Sequence, residues 1–97
     1  MKNCVLRGKI LKLLSEVYPN GLERINLISI YYQTDKVDDI EKSLEYLCDK
    51  KYVLKKELPH PLKENEKIIS YKILPLGIDL TEGTIEKDPG VVIPAEA

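Results

Sequence analysis

The chain has 97 residues, of which 43% are hydrophobic and 32% are charged, and its formal net charge is −1. This length fits one domain, and this balance is typical of a globular protein rather than a disordered one. No apolar run approaches the roughly 20 residues needed to cross a bilayer, and the first residues lack the apolar stretch of a secretory signal. We therefore expect a cytoplasmic protein without membrane contact, in which Cys4 and Cys48 are reduced thiols.

Two helices are predicted before residue 33. Apolar residues at helical spacing, with charged residues between them, predict a first helix over residues 5–18. Pro19, Asn20 and Gly21 end this helix, because proline cannot donate to the helical ladder and glycine accepts turn geometry. A second helix is predicted over residues 22–32, although its isoleucines would also suit a strand.

The third predicted helix has the clearest periodicity. Its apolar residues step by three and four along the chain: Val37, Ile40, Leu44 and Leu47. Thr34 or Asp35 is expected to cap its N-terminus, where the acids at 38 and 39 suit the positive end of the helix dipole. The helix should end at the lysines at 50 and 51, because cations suit a helix C-terminus.

A hairpin and a short helix complete the predicted elements. Two β-prone runs, residues 52–58 and 68–74, flank a polar segment bracketed by prolines and predict a two-stranded hairpin. Pro75 can open a last helix over residues 75–82, and the chain looks irregular from Gly83 onward. We place the domain at residues 1–83 and an irregular acidic tail at residues 84–97.

This order resembles a winged helix-turn-helix domain, an α+β fold with three helices, a two-stranded hairpin wing and a short C-terminal helix or tail. Residues 37–53 are similar to the recognition helix and first wing strand of bacterial winged-helix proteins, except that Lys51 replaces the usual glycine and should strain the turn. Residues 70–80, 82–85 and 88–91 resemble the close of small winged-helix proteins from phage and prophage regions, where a threonine usually stands at Leu74.

The resemblance implies that the third helix contacts a DNA major groove. At 100° per residue, one exposed stripe beside its core face holds Lys36, Asp39, Ser43, Tyr46 and Lys50. Lys42 is a further candidate DNA contact on this helix, and it separates the stripe from a second one, which is acidic and would repel phosphates: Asp38, Glu41, Glu45 and Asp49. A solvated charged face is therefore an interpretation of equal weight.

The hairpin supplies a second set of candidate DNA contacts. These residues lie on its strands or near its tip: Lys56, His60, Lys63, Asn65 and Lys67. Winged proteins often contact the minor groove or the phosphate backbone there. Nearby glutamates lower the net positive charge. The competing interpretation is therefore a hairpin whose lysines only keep it soluble and prevent pairing at its edge.

The sequence contains no constellation that favours an enzyme or a metal site. His60 is the one histidine and stands apart from other metal-ligating residue types, whereas a metal site needs three or four ligands. Cys48 continues the core side of the third helix, and no phosphate loop, serine elbow or catalytic acid pair is present. We expect no catalytic residues, no metal and no cofactor.

Two functions from different classes remain. The first is a winged-helix DNA-binding protein, a transcriptional regulator of phage or prophage type that binds double-stranded DNA. The second is a winged-helix module that docks on a protein partner without binding DNA, which the net charge favours: residues 1–72 carry +3 and residues 73–97 carry −4. The apolar run Val91-Val92-Ile93 should pack on its own domain or on a second copy, which leaves a homodimer open.

Overall fold

The computed structural model describes residues 2–94 and the side chains of residues 3–94. Its elements follow in the order α1 (Lys2–Val17), β1 (Leu22–Glu23), α2 (Arg24–Tyr31), α3 (Val37–Asp49), β2 (Val53–Pro59), β3 (Lys67–Ile73) and α4 (Pro75–Glu82). The fold is α+β and compatible with a winged-helix-like architecture. Met1 and residues 95–97, which the predicted domain and tail include, lie outside the described residues.

The core forms where the apolar face of α1 meets those of α2 and α3. The apolar side chains of these helices that are at most 2% exposed are Leu6, Ile10, Leu11, Leu14, Leu27, Ile40, Leu44 and Leu47. Ile73 of β3 and Leu80 of α4 close the core from the other side. The predicted apolar face of α3 is confirmed at Ile40, Leu44 and Leu47, which are fully buried, but it is wrong at Val37, which is 44% exposed in the first turn.

The sheet has three antiparallel strands in the order β1-β3-β2. β2 and β3 form the predicted hairpin, in which Val53 is opposite Ile73 and Pro59 is opposite Lys67. The helix predicted for residues 22 and 23 is wrong, because these residues form a third strand: Leu22 pairs with Tyr71 and Glu23 with Ser70 across the other edge of β3. The second helix therefore begins two residues later than expected, after extended backbone at Glu23.

The loop before α3 differs from the predicted cap. Lys36 stands at the N-cap position, with extended backbone and no side-chain capping hydrogen bond. The Thr34 hydroxyl instead lies 3.3 Å from the Tyr31 carbonyl and 2.9 Å from an Asp35 carboxylate oxygen. The Thr34 contact with Tyr31 lies at the C-terminus of α2 and not at the N-terminus of α3, so the predicted N-cap of α3 is wrong.

The turn after α3 carries the expected strain. Lys51 has a φ of 68°, in the left-handed region that favours glycine. This conformation lets the Tyr52 amide donate to the Leu47 carbonyl at 3.0 Å and brings the chain directly into β2. The expected strain of the turn at Lys51 is confirmed.

The described part of the tail packs on the domain. Gly83 ends α4 in a left-handed conformation, with a φ of 79°, and residues 84–94 form no helix or strand. Val91 is nevertheless only 3% exposed, and Ile85 and Ile93 pack against the same core. The Val92 amide also donates to the Cys4 carbonyl of α1 at 2.9 Å. Residues 84–94 and the first 83 residues thus share one hydrophobic core.

Candidate functional site

The outward face of α3 is acidic. Its exposed or half-buried residues include all four members of the predicted acidic stripe: Asp38, Glu41, Glu45 and Asp49. Lys42 is the cation among them, and its ammonium lies 3.0 Å from Asp38. The hydrogen bond and charge of Asp38 raise the pKa of Lys42. A phosphate approaching this face would meet more negative than positive charge.

Three of the five residues in the stripe predicted to contact DNA are buried or half-buried. Ser43 is 0% exposed, so the prediction that it lies on an exposed stripe is wrong. It is enclosed because it lies between Ile40 and Leu47 on the side of α3 that faces the core. Asp39 and Tyr46 are half-buried. The Arg7 guanidinium of α1 stacks over the Tyr46 ring, 3.6 Å from its centroid.

The two lysines at the ends of this stripe are exposed but differ in their surroundings. Lys36 precedes the first turn of α3. Lys50 follows the last turn, and its ammonium lies 3.2 Å from a carboxylate oxygen of Asp88 in the tail. The second cation is therefore already paired within the chain.

The hairpin presents its cations close to carboxylates. Lys63 pairs with Glu66 at 3.7 Å, and Lys67 pairs with Glu57 at 3.5 Å. Lys56 is exposed on β2, opposite Ser70 of β3. The predicted hairpin cations are thus accessible, but two of them are partly neutralised, and exposed pairs of this kind contribute little to stability.

His60 and Asn65 shape the hairpin tip. The His60 Nδ1 atom accepts hydrogen bonds from the backbone amides of Leu62 at 3.0 Å and Lys63 at 3.1 Å. Its own amide donates to the Glu66 carbonyl at 2.9 Å. Asn65 has a φ of 67°, a left-handed conformation that asparagine tolerates better than most residues. Both residues therefore organise the turn itself.

A groove of about 480 Å³ runs along the outward face of α3. Its walls come from Tyr46 and Tyr71, from the acids and Lys42 of α3, and from cations on three other elements: Arg7, Arg24 and Lys55. Arg24 forms an ion pair with Glu41, and Lys55 pairs with Glu57 outside the groove at 3.6 Å. Among the described residues, Glu45 and Asp49 have no ion-pair partner. These two carboxylates lie four positions apart, on one side of the helix.

The tail contacts two of the residues that line this groove, Arg7 and Tyr46. We call residues 88–93 the tail strap. Asp88 accepts a hydrogen bond from the Tyr52 hydroxyl at 2.7 Å and another from the Gly90 amide at 2.8 Å, in addition to its ion pair with Lys50. Arg7 donates to the Gly90 carbonyl at 3.1 Å. The strap thus connects α1, the end of α3 and the start of β2.

The pKa values of two groups in this cluster, Asp88 and Tyr52, are shifted. Burial raises the pKa of Asp88, but the hydrogen bonds from Tyr52 and Gly90 and the charge of Lys50 outweigh it, so the pKa lies below its usual value. Burial and the hydrogen bond to Asp88 raise the pKa of Tyr52 to about 12. Asp88 is therefore ionised and Tyr52 is protonated throughout the neutral pH range. Sequence patterns missed Arg7 and Asp88, because these contacts join residues far apart in the chain.

The Cys48 thiol and the possible metal ligands were the other candidate groups for chemistry in the described residues. Burial and the nearby Glu45 raise the pKa of the Cys48 thiol to about 11, which keeps the thiol protonated at neutral pH. Within residues 2–94, no three histidine, cysteine or acidic side chains are arranged to hold a metal ion. None of the described helices is both long and apolar enough to span a membrane.

Comparison of the chain with protein-family models, with curated proteins and with solved structures finds no match.

Proposed function

We propose that the chain is a winged-helix interaction module that docks a basic segment of a protein partner in the groove along α3. The order of three helices followed by a hairpin supports the winged-helix assignment. The observation that carries the functional proposal is the outward face of α3, which presents four carboxylates and a single lysine. In a DNA-binding winged helix this face would meet phosphates, and here it would repel them.

The chemistry of the groove defines the class of partner. Glu45 and Asp49 are carboxylates without an ion-pair partner in the described residues, one helical turn apart. Tyr46 adds an aromatic ring, and a ring of this kind attracts cations over its face. A segment with two or more arginines or lysines could pair with both acids at once. Charge complementarity of this kind favours association and selects among partners.

The test compares charge variants in titrations with a labelled probe. The probe is a fluorescent peptide in which arginines alternate with glycine and serine. The variant E45Q with D49N removes the two groove acids, and E64Q with E86Q removes two acids at the hairpin tip and in the tail. We expect the groove variant to weaken binding by about 3- to 30-fold, because two exposed charge pairs are lost.

The matched control should bind like the parent protein, since it has the same net charge as the groove variant. Equal loss in both double variants would show that the peptide responds to net charge alone. That result would contradict a docking site on α3.

A second candidate function is DNA binding through the hairpin, which the exposed Lys56, Lys63 and Lys67 favour. Titration of random duplex at 50 mM salt tests it directly. If the hairpin holds phosphates, K63E with K67E should weaken binding to every sequence alike and flatten its salt dependence. Absence of binding by the parent protein at micromolar concentration would exclude this candidate.

A further inference from the structure

The tail strap is held tightly against α1 at a point where α1 has no side chain. A Cβ at Gly8 would overlap the carbonyl oxygen of Val92, and a Cβ at Gly90 would overlap the Tyr46 hydroxyl. Val91 is buried beside them. The strap therefore depends on glycine at two separate contacts, one between Val92 and Gly8 of α1 and one between Gly90 and Tyr46 of α3.

Arg7 links this strap to the groove on α3. Its guanidinium lies over the Tyr46 ring and donates to the Gly90 carbonyl, while its Nε atom is buried without a hydrogen-bond partner in the described residues. Arg7 lines the same groove as Glu45 and Asp49. No carboxylate pairs with Arg7 in the described structure, so the strap carbonyl and the Tyr46 ring are the contacts that hold its charged end.

We propose that the tail strap is an autoinhibitory element that holds Arg7 in the groove, where Arg7 competes with the cation of a partner. This inference rests on the proposed docking function and adds its regulation. With the strap in place, the ring face of Tyr46 is occupied by the protein's own guanidinium. Release of the strap frees Arg7 to leave and opens that ring face, next to Glu45, to an arginine of the partner.

The strap is held by a small number of polar contacts and by the burial of Val91. Asp88 fixes its start through Lys50 and Tyr52, and the Val92 amide fixes its end on Cys4. The segment before it, residues 84–87, is largely exposed and has no regular structure. Release of the strap exposes Val91 but leaves the other core residues packed, so we expect it to cost less free energy than unfolding of the whole domain.

Three variants weaken the closed state in different ways. G8A places a methyl group where the strap lies, while alanine favours the helix of α1. D88N removes the charge that anchors the strap to Lys50. R7Q removes the competing cation together with its hydrogen bond to the Gly90 carbonyl, while the anchors at Asp88 and Val92 remain. E86Q is the matched control, since it neutralises an exposed acid of the same tail.

The experiment measures two quantities for each variant of the full chain: the affinity for the arginine peptide, and the hydrogen-exchange rate of the Val92 amide. We expect G8A and D88N to accelerate this exchange, and all three variants to bind the peptide about 5- to 20-fold more tightly, because the competent state becomes more populated. E86Q should match the parent protein in both. The gain should vanish when E45Q and D49N are added.

The outcomes separate the inference from the proposed function. Faster Val92 exchange with unchanged, groove-dependent peptide affinity would overturn autoinhibition and leave docking intact. Tighter binding by D88N but not by R7Q would overturn the role of Arg7 as competitor. Unchanged exchange in G8A and D88N would overturn the proposed anchoring of the strap. Absence of peptide binding in every variant would overturn the docking function and the inference together.

Discussion

Ser43 places a hydroxyl group inside the apolar core of the protein. The side chain is 0% exposed, and its oxygen has no hydrogen-bond partner among the described residues. A buried hydroxyl without a partner loses its hydrogen bonds to water and gains nothing in exchange. This residue therefore costs stability at its position, and it is not available to a DNA base.

We predict that Ser43→Ala leaves stability unchanged or raises it by up to about 1 kcal/mol. The substitution removes the unpaired oxygen and introduces a better helix former. Urea unfolding of both proteins measures the difference. A loss above about 1 kcal/mol would mean that the hydroxyl is paired in the folded protein.

Asp88 makes the attachment of the tail depend on pH in a defined direction. Its pKa is lower in the folded protein than in the unfolded chain. Its contribution to stability is therefore fully present above the unfolded pKa, about 4, and is lost as the pH falls through the folded value. We expect the parent protein to be more stable than Asp88→Asn at neutral pH.

Urea unfolding at a series of pH values from 7 to 2 tests this expectation. The gap between the two proteins should close in the acid range, because protonation removes the same charge that the substitution removes. A gap that widens as the pH falls would contradict the lowered pKa.

At the scale of elements, α3 supplies the centre of the core. Leu44 is 0% exposed and lies on the face that packs against α1. We predict that Leu44→Ala destabilises the fold by about 2–5 kcal/mol, through lost burial and the cavity that remains. Leu62 is 89% exposed at the hairpin tip, so Leu62→Ala should change stability by less than about 0.5 kcal/mol. Similar urea midpoints for the two variants would refute the buried position of Leu44.

The turn after α3 offers a substitution that should stabilise the protein. A left-handed conformation costs a residue with a side chain about 1–2 kcal/mol, and glycine avoids this cost but orders more backbone on folding. We predict that Lys51→Gly raises stability by about 0.5–1 kcal/mol. Lys56→Gly is the control, because Lys56 lies in β2, where glycine should destabilise. Destabilisation by both glycines in thermal melts would argue against strain at Lys51.

Local patterns predicted the elements whose formation depends on their own sequence. The apolar spacing of α1 and α3, the proline that opens α4 and the β-prone runs of the hairpin all led to elements that the structure contains. The lysine in place of glycine at position 51 also predicted a strained turn, and the structure gives this residue a φ of 68°.

The features that were missed depend on distant partners. Leu22 and Glu23 form a strand because β3 offers its free edge, and nothing in the local sequence distinguishes this from a helix start. Ser43 lies at the border of the apolar face of α3, and its burial depends on how neighbouring elements pack. The contacts of Asp88 with Lys50 and Tyr52 likewise exist only in the folded chain.

At the scale of the whole molecule, the placement of charge separates the two functional candidates. The cations predicted to hold DNA are distributed over four places: before α3, within it, at its C-terminal end and along the hairpin. Four of them already contact carboxylates of the same chain: Lys42, Lys50, Lys63 and Lys67. The outward face of α3 is acidic, which agrees better with a basic protein segment than with a phosphate backbone.

Amide chemical shifts of the full chain can be mapped in two parallel titrations, one with the arginine peptide and one with random duplex DNA at 50 mM salt. These titrations show directly whether α3 binds a basic protein segment or DNA. We predict that the peptide shifts the amides of Glu45, Tyr46 and Asp49 in α3, and that duplex DNA leaves these residues unchanged. Shifts in α3 caused by the duplex but not by the peptide would contradict docking of a basic partner in the groove and would assign α3 to DNA.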